Sequence, residues 1–351
     1  AVYSFDVQRQ GALGHDPLPV AYPRRRMPCA KSFGRMQVPL PSRALWSLLS
    51  SPNPLHGHLP SPGVLLLLLL ARLIRPRRRV TAHWHCFLDP DRDLNGRLFA
   101  LYQWLALMLV PQLSAVVTTS PLLAQELHRC GCSQQRVFVL PCCLSDQQEQ
   151  LSLALPVPDV RAGEPLRVLF IGRLDSYKRL DWLLQALAQL TTSWQLVVVG
   201  DGPKRRRFEK VSQRLFPQAS PVHFLGRLSE SAKIEQLADS DVLVLPSSSS
   251  NEAFGIVQLE AMAAGRITLA FDQPRSGMSW VSRLSGLPWS RSREGLPEVL
   301  QRLADHPASR QQLCVQARER YCKLFSRAVW LQELQRFSDL VEGGKVCNSV
   351  E

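Results

Sequence analysis

The 351-residue chain has a formal charge of +13, from 42 Lys and Arg against 29 Asp and Glu, with 45% apolar and 20% charged residues. That is the composition of a soluble globular protein long enough for two domains, and its basic surface suits an anionic partner: nucleic acid, anionic lipid or a phosphorylated substrate. Nine cysteines, odd in number and mostly scattered, argue against a disulfide framework and for a reducing compartment.

In chain order, "AVYSFDVQRQ" opens like a strand and has neither the basic start nor the apolar core of a signal peptide. Residues 1–60 are rich in Pro and Arg, as in "YPRRRMPCAKSFGRMQVPLPS". The apolar run "GVLLLLLLARLI" (Gly63 to Ile74) ends in "RPRRR" well short of the roughly 20 residues of a membrane span, so it is expected to be a buried helix with a basic end. Strands are expected at "NPLHGH", "RRVTAHWH", "SAVVTTS" and "RVFVLP", with helices at Gly63–Ile74, Asn95–Val110 and Pro121–Cys130. The stretch "SDQQEQLSLALPVPDVRAGEP" is polar, contains Pro and lacks a periodic apolar face, so it is expected to be a domain linker.

From Leu166 onward the pattern is regular. The apolar strands "LRVLFIG", "WQLVVVG", "VHFLG", "DVLVLP" and "ITLAF" alternate with amphipathic helices such as "KRLDWLLQALAQL" and "SAKIEQLADS". Continuous apolar strands separated by helices mean a parallel sheet covered on both faces. The expected fold class is therefore α/β, two Rossmann-like, doubly wound parallel-sheet domains facing a cleft. The domains are expected at 1–150 and 151–325, with a C-terminal helix and tail at 326–351 crossing back toward the first domain.

Chemistry concentrates at the strand ends of the second domain. "FIGRLDSYKRLD" places Gly172, Arg173 and Lys178 between a strand and a helix, and "VVVGDGPKRR" places Gly200 and Gly202 likewise. Glycine allows close approach of backbone to ligand, helix N-termini offer N–H groups to anions, and the two cations suit phosphates. "GDGPKR" lacks the third glycine of the dinucleotide fingerprint and follows the second strand of its domain, which argues against a dehydrogenase. In "SNEAFGIVQLEAMAAG", a helix expected to start near Phe254 or Gly255 puts Glu252 just before its N-terminus and Glu260 about two turns inside. At a rise of 1.5 Å per residue their backbones are about 10 Å apart, which fits a sugar nucleotide with one carboxylate on each sugar. The amides of Phe254, Gly255 and Ile256 would then meet the diphosphate.

The series "FIGRLDSYKRLDWLL", "VVVGDGP", "VHFLGRLSE", "DVLVLPS" and "NEAFGIVQLEAMAAG" resembles, in order and spacing, the donor domain of family 4 of the retaining GT-B glycosyltransferases. "RSGMSWV", "LHGHLPSP", "VTAHWH" and "VVTTSPLLAQEL" extend the likeness over most of the chain from Pro54. The resemblance implies that Arg173 and Lys178 hold the donor diphosphate, that Glu252 binds the transferred sugar and that Glu260 binds the ribose. It places Arg227 and Leu228 at the base, and gives His83 to the donor sugar from the first domain. It implies a hexosyltransferase that retains anomeric configuration, with the leaving diphosphate as base for the acceptor hydroxyl and electrostatic stabilisation of that group as the largest catalytic term. No metal or other cofactor is expected, since protein cations take that role. The Asp-x-Asp matches in "DPDRD" and at Asp239–Asp241 are expected to be accidental, and "CGC" and "CC" to be free thiols.

The details "HLPSP" and "SGMSWV" look most like the bacterial mannosyl- and rhamnosyl-type branch of surface-polysaccharide enzymes. GDP-mannose is the first donor expectation and a UDP-sugar the next, with a glycan or lipid-linked acceptor in polysaccharide or glycolipid synthesis. The expected place is cytoplasmic, peripheral on the anionic inner face of the plasma membrane, and no nucleic-acid motif is present. The family's opening strand and glycine-rich loop have no counterpart in residues 1–53, so the N-terminus is expected to be incomplete. A non-catalytic sugar-nucleotide-binding remnant is the alternative.

Overall fold

A computed structural model of the chain describes residues 1–6, 22–30, 37–89, 93–217 and 221–343. It divides into two compact units: Ala1–Thr118 with Ala124–Val139 and the chain from Asp339, and Thr119–Leu123 with Leu140–Ser338.

In the first unit, β1 (Val2–Asp6) and β2 (Arg24–Pro28) form a two-stranded parallel sheet, followed by α1 (Arg43–Ser50). Strands β3 (Leu55–Leu59), β4 (Val80–Trp84), β5 (Ala115–Thr118) and β6 (Val137–Val139) form a parallel four-stranded sheet in sequence order. Between them run α2 (Pro62–Ile74), α3 (Leu94–Leu109) and α4 (Pro121–Arg129). The elements lie where the apolar runs place them, because continuous apolar strands and helices stay in register only when each is covered on the face it buries. On α2, Leu65, Leu67, Leu68 and Ala71 are buried, and no helix among the described residues is long and apolar enough to cross a membrane. The "RPRRR" end divides by function: Arg75 and Arg77 are exposed, whereas Arg78 is buried and donates to the carbonyls of Asn53 and Leu48 at 2.8 Å each.

The stretch expected to be a linker starts with a helix and has no helix or strand over residues 155–165. α5 (Asp146–Ala154) is started by a capping box in which Ser145 and Gln148 satisfy each other's backbone N–H groups. Glu149 accepts from the Tyr321 hydroxyl and from the backbone N–H of Arg327, at 2.8 Å each. The expected boundary at residue 150 therefore falls inside α5. Polar residues hid the helix because its anchoring contacts are a carboxylate and a cap rather than an apolar stripe.

The strands β7 (Leu166–Ile171), β8 (Trp194–Val199), β9 (Val222–Gly226), β10 (Val242–Leu245) and β11 (Ile267–Ala270) make a parallel sheet in the order β11-β10-β7-β8-β9. Its helices are α6 (Leu180–Leu187), α7 (Arg205–Leu215), α8 (Glu230–Ala238), α9 (Val257–Ala263), α10 (Met278–Val281), α11 (Leu296–Asp305), α12 (Pro307–Leu324) and, as far as Ser338, α13 (Arg327–Gly343). The core is formed by strand residues such as Val168, Phe170, Val198 and Val244 against Leu183, Leu259, Met262 and Leu300. Asp241, at the foot of β10, is 1% exposed and pairs with Arg167 at 2.7 Å. That carboxylate, one of the Asp-x-Asp matches, is thus engaged by the fold; the match through Asp91 lies outside the described residues.

Candidate functional site

From β7 the chain passes by way of α6 to β8 on one side, and from β10 by way of α9 to β11 on the other. The carboxyl ends of β7 and β10 therefore flank the point where the strand order reverses, the place at which doubly wound sheets bind ligands. Lys178 follows β7 in a short helical turn, Glu252 follows β10, and the two form an ion pair across this point. Their side chains are 9% and 17% exposed, so the pair is largely withdrawn from water yet still open to a ligand. The loops are joined as well: the Ser248 N–H donates to the Tyr177 carbonyl at 2.9 Å, and the Lys178 ammonium lies 5.4 Å from the centre of the Tyr177 ring. Ser276 Oγ donates to the Glu252 carbonyl at 2.6 Å and the Gly277 N–H to the Ala253 carbonyl at 2.7 Å, fixing the backbone that carries Glu252.

The glycines at these turns differ in kind. Gly200 has φ +128°, and a Cβ there would strike the carbonyl oxygen of Gly172, so neither bulk nor an ordinary L-residue backbone is tolerated. A Cβ on Gly172 would meet the Lys178 side chain at 3.7 Å and the Phe170 ring at 3.8 Å, which are ordinary contacts. Arg173 is exposed, with its guanidinium 3.6 Å from Asp175. After β9, Arg227 is exposed, while Leu228 packs partly buried against the cluster containing Leu237, Ala261 and Val257.

Around the second glutamate the structure corrects the expected geometry. Gly255 has φ +70°, which is not helical, and α9 begins only at Val257. Glu260 is therefore in the first turn rather than two turns inside. Phe254 is 5% exposed and packs edge-on to Phe325, its carbonyl accepting from the Gln258 amide at 2.8 Å, while Ile256 is exposed. Glu260 is 5% exposed and lies 2.8 Å from the Lys233 ammonium of α8. The carboxylate accepts from that ammonium and, with about four lone-pair sites, can accept from a further donor. Burial pushes the Glu260 carboxyl above the ordinary carboxylate range, and Lys233 pulls it back. Burial acts to lower the Lys233 ammonium, but Glu230 and Glu260 beside it outweigh that and raise it.

Lys233 was not foreseen from sequence, nor were Tyr177 and Ser276. "SAKIEQL" reads as a surface helix, and only the packing of α8 against α9 turns its lysine toward Glu260. An apolar helix with a single buried carboxylate implies a cation nearby, and that signal could have prompted a search for one.

In the first unit, His83 lies on β4 among three other imidazoles. Its ring stacks on His85 at 4.1 Å between centroids and lies 5.9 Å from His58. Burial, then the neighbouring imidazoles, pushes His83 down to about 3, and His56 and His85 to about 4 each. These rings are neutral at pH 7 and can accept or donate but not carry charge. Sequence reasoning singled out His83 and missed the cluster, because the strand register that assembles it is a tertiary property.

Residues 4–148 match the family Glycosyltransferase Family 4, and residues 158–282 match Glycosyl transferases group 1. Among curated proteins, the D-rhamnosyltransferase WbpZ of Pseudomonas aeruginosa is 31% identical over 46% of this chain and 42% of its own length. The phosphatidyl-myo-inositol mannosyltransferase of Mycolicibacterium smegmatis is 31% identical over 33% of this chain and 30% of its own. The chain thus spans less than half the length of either relative in alignment. Among solved structures, Anabaena Alr3699/HepE in complex with UDP superposes with a TM-score of 0.67 at 16% identity, covering 92% of this chain and 86% of that one. Sucrose-phosphate synthase from Thermosynechococcus elongatus gives 0.61 at 23% identity, covering 82% and 73%. The chain has the GT-B fold, and each of its halves matches a glycosyltransferase family.

Proposed function

We propose that the chain is a retaining glycosyltransferase that moves a hexose from a nucleotide sugar to a glycan or lipid-linked acceptor. The observation that carries the reading is the Lys178–Glu252 pair across the strand-order reversal, with the buried Glu260 in the helix that follows. On donor binding the diphosphate takes up the Lys178 ammonium with Arg173 and the amides of Phe254 to Ile256, while Glu252 turns to the sugar hydroxyls. Glu260, positioned by Lys233, accepts from the ribose hydroxyls, and Arg227 and Leu228 flank the base. His83 serves the donor sugar, as its motif suggests.

In the reaction the bond from anomeric carbon to diphosphate oxygen breaks, and a bond from the acceptor oxygen to that carbon forms on the same face. The acceptor proton passes to the leaving diphosphate oxygen. Cations and amides aimed at that oxygen stabilise the charge developing there, so no metal is required for the transfer.

The rhamnosyl and mannosyl transfer named for two relatives supports GDP-mannose as the first donor to try. The UDP and UDP-glucose complexes of the Anabaena protein support UDP-glucose as the second. A lipid-linked acceptor at an anionic membrane is supported by the exposed arginines and by an apolar stripe on α3 (Leu94, Leu98, Leu101, Leu105 and Met108, with Trp104 beside it). Calorimetry with GDP and UDP, beside a transfer assay with a lipid-linked saccharide on the same preparation, tests the proposal. Micromolar binding of one nucleotide and turnover of its sugar are expected, at roughly the affinity usual for enzyme substrates. Absence of binding to either nucleotide refutes it.

A further inference from the structure

Four imidazoles share one face of the first unit's sheet. On β3, His56 and His58 alternate with Gly57, and on β4 and just beyond it Thr81, His83 and His85 alternate likewise, so each set projects to a single face. The parallel register then sets His56 beside Thr81 and His58 beside His83. One ring nitrogen from each of His56, His58 and His83 lies within 4.8 Å of the other two. Three imidazoles with one side open are the donor set of a late first-row divalent ion. Zinc at about 2.0–2.1 Å from each nitrogen draws them to about 3.4 Å apart, a closure within reach of side-chain rotation.

The neighbours orient the lone pairs. His56 Nδ1 lies 2.8 Å from Thr81 Oγ1, and that hydroxyl points to the Leu55 carbonyl at 3.5 Å. This relay makes Nδ1 the protonated nitrogen of His56 and Nε2 the one with the lone pair, the arrangement that prepares a metal-binding histidine. His58 Nδ1 and His85 Nε2 lie 2.7 Å apart, and with the shared proton on Nδ1 the lone pair of His58 is left on Nε2. His83 Nε2 is buried with no hydrogen-bond partner among the described residues, an arrangement that ordinarily calls for a ligand, a water or an ion.

We propose that His56, His58 and His83 bind one divalent late-transition-metal ion, zinc in the first instance, with Thr81 and His85 as positioning residues. The ion is not needed for transfer. By holding His83 it competes with the donor-sugar role given to that residue, so zinc inhibits the enzyme. The inhibition rests on the transferase reading, whereas the binding does not.

The test uses the full chain, with Co²⁺ as spectroscopic probe and Zn²⁺ as competitor. One equivalent is expected to bind at about micromolar Kd or tighter, giving visible d–d bands without a thiolate-to-cobalt charge-transfer band. His56→Asn with His58→Asn should weaken binding about a hundredfold or more, and Thr81→Val about tenfold. Both variants should keep transfer activity, and the His56/His58 double variant should lose zinc inhibition. A thiolate band, which would place the ion on cysteines, overturns the proposal, as does no binding by the wild type at about 100 μM metal. Undiminished affinity in the double variant overturns it too. Should that variant fail to fold, the wild-type cobalt spectrum and Thr81→Val still decide. Binding without inhibition upholds the site and removes only the donor-sugar role given to His83.

Discussion

At the scale of the residue, the two glutamates have different surroundings and should fail differently. Glu252 pairs with Lys178 at the strand-order reversal, and the proposed function gives it the transferred sugar, so Glu252→Gln should lower kcat about a hundredfold with a small change in nucleotide affinity. Glu260→Gln should instead raise the nucleotide Kd about tenfold, equivalent to about 1.4 kcal/mol, and leave kcat largely intact. Steady-state kinetics with calorimetry on both variants separates them, and wild-type kinetics in both would remove the assignment. The Glu260 carboxyl adds a pH dependence. Its pKa is raised from 4.5 by burial, so the folded chain holds that proton more tightly than the unfolded chain does. The sign follows: this group stabilises the fold fully below the unfolded value of 4.5, and that contribution is lost as pH rises through the folded value. In the proposed function the ionised carboxylate accepts from the ribose hydroxyls, so nucleotide binding should weaken on acidification. Lys233→Met removes the cation that lowers the Glu260 pKa and should move the acid limb of nucleotide binding to higher pH. Titrations between about pH 5 and 8 read this directly, and a limb in the same place would show that Lys233 does not act on Glu260.

Among the elements, the turn into α9 is tightly constrained. Gly255 combines φ +70° with a site where a Cβ would collide with Leu245 Cδ2 of β10. Gly255→Ala should therefore destabilise the fold by about 1–3 kcal/mol and weaken nucleotide binding, because the displaced turn carries the Phe254 to Ile256 amides. Denaturant unfolding alongside calorimetry measures both, and an unchanged unfolding midpoint would contradict the strain argument. The helix α5 shows the same dependence on neighbours from the other side. Its sequence has no apolar face to announce it, and it stands on the Ser145 cap and on Glu149 accepting from Tyr321 and Arg327.

For the molecule as a whole, the charge of +13 and the α3 stripe belong to one expectation. Leu94 is 74% exposed, and Trp104 and Met108 are 57% exposed each, on a helix that reads as a core element from its apolar content alone. Apolar side chains on one helical stripe, on a basic chain, suit insertion into the headgroup region of an anionic bilayer. Vesicles containing phosphatidylserine should sediment the protein, with binding that weakens as salt rises and falls about tenfold or more in Leu101→Ser with Trp104→Ser. Salt-independent sedimentation, or equal binding by the double variant, would refute the membrane role while leaving the donor site untouched.

By itself the sequence determined the layered α/β architecture, the strands from Leu166 onward, and the candidate cluster of Gly200, Lys178, Glu252 and Glu260. These follow from local regularities: apolar runs of strand length, glycines at their ends, and carboxylates at fixed spacing around a turn. What the tertiary structure decided are facts about pairs distant in sequence. The order β11-β10-β7-β8-β9 brings Lys178 to Glu252, 74 residues away, and the packing of α8 on α9 brings Lys233 to Glu260. The register of β3 on β4 gathers the four histidines. A positive φ at Gly255 moves the start of α9 past the apolar residues that seemed to begin it. Each of these depends on which strands and helices become neighbours, and that choice is made by the burial of whole faces rather than by any short stretch of residues.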